Sequence, residues 1–318
     1  GAPSGPVSIN NSTNIFPMFG VSGITAESGY GGCQWDQATE QTNCVPYGNG
    51  GQVSVTNTGT VVAFSEFNPD TPWVEPANGI NALSMGGSVS VINSGVLGTI
   101  GPESSAILVE ANGSWNNGVP GPSGDVSVTN SGLIQTQGDG TTGILAEVGT
   151  GKVTINNSGA ILGLGRDVRG IEAESGTYDM DGNPLQDGGI QISNSGLIEN
   201  GGHASSGINT HTATGANTIE NSGRIDISGS NGAGILATTE NGSVNVKSTG
   251  DVLAPGTDSF GIIVVGVSGG GALDPTGNTN TSTAKLVVNI DGGTVQGGSG
   301  GRTFGFAPDS TSDNDDEV

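Results

Sequence analysis

The chain has 318 residues, 60 of them glycine, and a formal net charge of −23 from 30 acidic against 7 basic side chains. So few bases exclude a basic patch for nucleic acid or an anionic membrane, and no run of 18 apolar residues is available to cross a bilayer. Aromatic residues make up 4% of the chain, too few for an ordinary compact enzyme core of this length.

Residues 1–6 read as a lead-in, and at Val7 a unit begins that then recurs: V-x-V-x-N-S-G-x-I, followed later by G-I-x-A. Its asparagine falls at Asn11, Asn57, Asn93, Asn130, Asn157, Asn194 and Asn221, with Ser248 and Asp291 taken to fill the slot in the last two of nine copies. Four residues later stand Ile15, Val61, Leu97, Ile134, Ile161, Ile198, Ile225, Val252 and Val295, all apolar, which is a burial signal. The shortest copy-to-copy step is 27 residues, as from Asn130 to Asn157.

Alternation over V-x-V-x-N makes a short strand, and x-I and G-I-x-A make two more. The S-G or T-G dipeptide between the first two is expected to turn the chain with φ > 0. No 3.6-residue period separates the strands, so successive copies must stack as parallel ladders. The expected fold is all-β, a right-handed parallel β-helix of about nine three-strand coils over residues 7–303. The asparagine shares the parity of the valines and points inward. An unpaired amide there is costly, so it should bond its counterparts one coil above and below in an Asn ladder.

Departures from the 27-residue unit fall at about 27–52, 64–76, 110–124, 174–188 and 265–284. Insertions into a solenoid are outer loops, often on the binding face. The first holds Cys33 and Cys44, which read as a disulfide closing a surface loop in an oxidising compartment, since a zinc site would need further Cys or His nearby. Trp35, Trp73, Trp115 and Tyr47 all lie in insertions of the first three coils, whereas the scaffold almost lacks such residues. They are the expected ligand contacts, with Asp36, Glu40, Asp70 and Glu75 around them favouring a neutral, cationic or calcium-bridged ligand. The opposing reading has each tryptophan folding back to pin its own loop.

In the fourth insertion, Asp179, Asp181, Asn183 and Asp187 offer oxygens in the manner of a calcium loop, but Pro184 replaces the expected glycine and Asp-Gly is equally a hairpin turn. Calcium is the one cofactor considered. His203 and His211 are expected at the surface. Two G-x-S-x-G matches, at 266–270 and 297–301, follow from the glycine content and lack the strand-turn-helix setting of a nucleophile elbow. Residues 304–318 read as an acidic tail or linker.

Tandem V-x-V-x-N-S-G-x-I units with G-I-x-A, an acidic Gly/Ser/Thr/Asn-rich chain and two closely spaced cysteines resemble the passenger region of bacterial autotransporters, over about residues 7–297. The resemblance implies export from a Gram-negative cell, then display at its surface or release. Most such passengers act as adhesins, so it implies a non-enzymatic role binding glycan or protein on another cell. The alternatives are a self-stacking filament or biofilm matrix protein, and a polysaccharide lyase or hydrolase on the same scaffold. Both solenoid ends read as open to further coils, with self-association along the solenoid as a second kind of partnership.

Overall fold

The computed structural model describes residues 5–29, 33–36, 41–44, 50–67, 74–113, 115–116, 119–178, 184–266, 285–300 and 304–308. These residues form strands and turns and no helix. Three parallel sheets run along the described coils, each coil after the first contributing one strand to each. The first sheet stacks nine strands from Val7–Asn11 to Lys285–Ile290. The second stacks eight from Thr60–Phe64 to Val295–Gln296, with the first coil joining through a bridge from Ile15 to Val61. The third stacks nine from Ile24–Ser28 to Phe304–Pro308. This is the expected parallel β-helix. Its third sheet continues to Pro308, past the boundary expected after residue 303.

The inward face follows the alternation of the sequence. Val53, Val55 and Asn57 are buried while Ser54 and Thr56 point out, and the pattern repeats in Val126–Asn130 and Val153–Asn157. Stacked isoleucines and valines from all three sheets make one continuous core, including Ile107, Ile144, Ile171, Ile208, Ile235 and Ile262 along the third sheet. Each such side chain contributes about 1.5–3 kcal/mol when withdrawn from water, offsetting the entropy of ordering a glycine-rich chain.

The ladder forms as its parity demands. Nδ2 of Asn11, Asn57, Asn93, Asn130, Asn157 and Asn194 each donates 2.8 Å to Oδ1 of the next asparagine, and Asn221 ends the series on Oγ of Ser248 at 3.2 Å. In five coils the same Nδ2 also reaches the carbonyl two residues on, as from Asn130 to Gly132 at 3.4 Å. At the first coil the free end of the ladder is closed locally, where Asn11 Oδ1 accepts from N and Oγ1 of Thr13. A buried amide that would cost a few kcal/mol alone is thus satisfied by repetition.

Two expectations need correction. The glycines of the S-G and T-G dipeptides do not have positive φ. They are required because the coils interlock at this corner. A Cβ on Gly95, Gly132, Gly159 or Gly196 would stand 2.0 Å from the carbonyl oxygen of the matching glycine one coil earlier. The glycine of G-I-x-A is small for a related reason: a Cβ on Gly143, Gly170 or Gly207 would lie 2.5, 2.4 or 2.3 Å from Cγ2 of Ile161, Ile198 or Ile225, the apolar residues of the second sheet. The two halves of the repeat therefore fit each other across the core. In the last copy the register is shifted by one residue. Ser248 faces Ile290 rather than Asp291, and Val246 faces Val288, which keeps an apolar residue inward where the sequence alignment had placed Asn289. One extra residue in the following turn restores the match of Val252 with Val295.

Candidate functional site

No insertion interrupts the tight corner between the first and second sheets. Four leave after the third sheet, following Ser28, Asn112, Ser175 and Gly266, and the fifth precedes it, after Phe64. Among the described residues, insertions therefore leave the chain at both edges of the third sheet, and the outer face of that sheet lies between them. Three short antiparallel pairs stand at its borders: Cys33–Asp36 with Gln41–Cys44, Glu66–Phe67 with Val74–Glu75, and Trp115–Asn116 with Val119–Pro120.

These pairs carry several of the residues singled out from sequence. Trp35 is in register with Thr42, and Trp115 with Pro120. Cys33 is directly opposite Cys44. Residues directly opposite in an antiparallel pair have Cα atoms about 4.5–5.5 Å apart, a separation a disulfide can bridge. Trp73 and Tyr47 lie outside the described residues, as do Asp179, Asp181 and Asn183.

Asp187 is described, and it is a clamp under its loop. The carboxylate is buried, accepting from the backbone of Gly189 at Oδ1 and of Thr214 at Oδ2, both at 2.8 Å. Its own N–H donates to Thr214 Oγ1 at 3.1 Å, so the return of the fourth insertion is fastened to the following coil. Among the described residues no three His, Cys, Asp or Glu side chains converge on a metal position. At the other end of the loop, Tyr178 donates through its hydroxyl to Glu240, two coils away, and burial together with this bond pushes the phenol up to about 12. Glu240 also lies 3.6 Å from Nε2 of His211, whose Nδ1 pairs with Thr238 Oγ1 at 2.9 Å. His203 is exposed and pairs with Ser230 at 3.0 Å.

The outer face of the third sheet holds a feature that the sequence reading missed. Parallel register places Glu110, Glu147, Glu174 and His211 in one column on successive coils, with Glu172 in the column beside it. Strands are about 4.8 Å apart, so the central carboxyl has an acid on each side. Burial, then the charges of Glu110, Glu174 and Glu172, push Glu147 up to about 7. Glu172 is also raised by burial, an effect opposed by Arg169, which lies 3.4 Å from it and 3.2 Å from Asp167. Asn112 supports Glu110, donating to Oε2 at 3.1 Å. The signal was available: the residue after G-I-x-A is Glu27, Glu147 and Glu174 in three copies, and Glu110 takes the same place after the variant Ala106-Ile107-Leu108-Val109. An acid repeated on the outward parity is a column once the strands are stacked.

No protein-family profile, curated protein or solved structure matches the chain.

Proposed function

We propose that this chain is an adhesin-like β-helix of the autotransporter passenger type, displayed at or released from the surface of a Gram-negative bacterium. Its contact surface is the outer face of the third sheet with the insertions that border it. The ligand is a neutral or cationic glycan or a protein on another cell, and the chain works by binding rather than by catalysis. The observation that carries this reading is the segregation of every insertion to the two edges of one sheet, together with two tryptophans on paired strands there. A regular solenoid supplies rigidity, and loops on a rigid frame supply recognition. The carboxylates of this face set the sign of the ligand. The Cys33–Cys44 disulfide is part of the proposal, holding the first hairpin in shape; thiol titration of the denatured chain should find no free thiol without a reductant.

A second reading has one specific observation in its favour. Glu147, whose carboxyl is pushed up to about 7 by burial and by the acids beside it, has the character of a general acid in glycoside cleavage. Incubating the protein with a panel of glycans and polysaccharides and measuring both retention and released products separates the two. Retention without products supports the adhesin, and products that vanish in Glu147→Gln support the enzyme.

A further inference from the structure

The asparagines of the ladder are satisfied because each has a polar counterpart in the same slot of the next coil. Two other buried asparagines have none. They lie where the sixth coil (Ile190–Asn194, Leu197–Asn200, Ser206–Thr212) meets the seventh (Ala216–Asn221, Arg224–Ile227, Ala233–Thr239). Asn200, in the second sheet, is stacked between Gly163 and Ile227, and Asn217, in the first, between Ile190 and Val244. Asn200 Nδ2 donates to the carbonyl of Ser206 at 2.6 Å, and Asn217 Nδ2 to Thr210 Oγ1 at 2.8 Å and to the carbonyl of Thr238 at 3.1 Å. Neither Oδ1 has a partner. In the third sheet Thr210 replaces the alanine of the adjacent coils, Ala173 and Ala237, and the buried hydroxyl of Thr212 is also unmet. Every sheet therefore carries an unmet polar atom at this one junction. Among the described residues the other inward side chains with such an atom are Thr99 and Thr136, both in the second sheet.

We propose that the junction of the sixth and seventh coils is a hinge, where the solenoid opens locally between two blocks that stay folded, and that Tyr178 and Asp187 tie the fifth coil to the seventh across it. Each coil of a solenoid touches only its neighbours, so stability is a sum of local terms and a weak layer opens by itself. An acceptor that is unmet in the closed layer regains water when the layer opens. Closure is thus favoured less here than where Val, Ile and Ala fill the same columns.

The ties span the weak layer from outside. The fourth insertion starts from the end of the fifth coil, yet Asp187, at its return, accepts from the backbone of Thr214 in the turn between the sixth and seventh coils. Tyr178, at its start, donates to Glu240 in the turn after the seventh. An opening between the sixth and seventh coils strains both bonds, so they limit its amplitude. The insertions that follow Ser28, Phe64, Asn112 and Ser175 all belong to the block before the hinge, and the one after Gly266 to the block beyond it. The hinge thus lets the two groups of loops move relative to each other while the first five coils keep their shape.

Hydrogen exchange on the whole chain, resolved coil by coil under conditions where the rate reports the opening equilibrium, tests this. Backbone amides of residues 206–221 should exchange about tenfold faster, or more, than the matched amides of residues 142–157 and 244–248. Thr210→Ala/Asn217→Val gives the junction the residue types of the adjacent coils, and it should slow residues 206–221 to the rate of their neighbours while leaving residues 142–157 unchanged. Tyr178→Phe removes one tie and should speed exchange severalfold at the junction alone. Uniform protection in the parent, or a difference that survives in the double variant, overturns the hinge. Unchanged exchange in Tyr178→Phe overturns the role of that residue as a tie. The contact surface proposed on the third sheet does not depend on any of these outcomes.

Discussion

Asn157 donates 2.8 Å to Oδ1 of Asn194 across 37 residues, the same bond that joins Asn130 to Asn157 across 27. The fourth insertion leaves and rejoins the coil between Asn157 and Asn194 without disturbing the ladder. Scaffold and loops are thus separable, and substitutions in one should leave the other intact.

The ladder is expected to be most sensitive in the middle. Replacing Asn130 by Ala leaves Asn93 without an acceptor and Asn157 without a donor, both in the core, at a cost of about 2–4 kcal/mol. Asn221→Ser should cost less, since Ser248 already serves as a ladder member one coil on. Equilibrium denaturation of the two variants checks the order.

Glycine substitutions should divide by what a Cβ meets. In Gly132→Ala the new atom lies 2.0 Å from the backbone oxygen of Gly95, and overpacking against backbone should cost about 2–3 kcal/mol. In Gly98→Ala it meets only the side chain of Val62, at 3.4 Å, and the midpoint should barely move. Equal losses in both variants would show that conformational freedom, rather than interlocking, is what these positions need.

Thr99 and Thr136 stack inside the second sheet with buried hydroxyls that find no partner. Thr136→Val keeps the shape and removes the unmet polar group, so it should stabilise the protein by about 1 kcal/mol, read as a higher unfolding midpoint.

The acid column makes stability depend on pH. Glu147 is raised from 4.5 to about 7 on folding, so the unfolded chain holds its carboxylate more readily than the folded one. Stability is therefore complete below about pH 4.5 as far as this group is concerned, and is lost as pH rises through 7. Allowing for solvent screening at a partly exposed site, the loss should be about 1–2 kcal/mol. Glu147→Gln should flatten that slope between pH 5 and 8, measured by urea denaturation at each pH. An unchanged slope would place the titrating group elsewhere.

Much of this architecture is legible in the sequence because repetition converts chemistry into geometry. The parity of Asn57 with Val53 and Val55 was enough to place it inside and to demand a partner. The role of Gly132 was not legible, because its constraint is a carbonyl oxygen 37 residues away rather than its own φ. The last coil was misaligned for a similar reason: Asp291 fits the polar slot by type, but Leu286 and Val288 set the register through burial. Glu110, Glu147 and Glu174 are unremarkable along the chain and become a column only when the third-sheet register is known. Trp35 and Trp115 were found by their confinement to insertions, and that each sits on a short antiparallel pair follows only from the folded topology.

The most direct test of the central claim is retention of a bound ligand by variants that alter one outer face at a time. On a glycan and matrix-protein array, the triple variant Trp35→Ala/Trp73→Ala/Trp115→Ala should lose binding by a factor of about 10 to 30 for each anchor removed, as 1.4–2 kcal/mol per hot spot implies, with its strand spectrum intact. Ile100→Glu/Leu164→Glu, at exposed positions of the second sheet, should bind as the parent does. If instead the triple variant folds and binds as well as the parent, the third-sheet face is not the contact surface and the account of function fails.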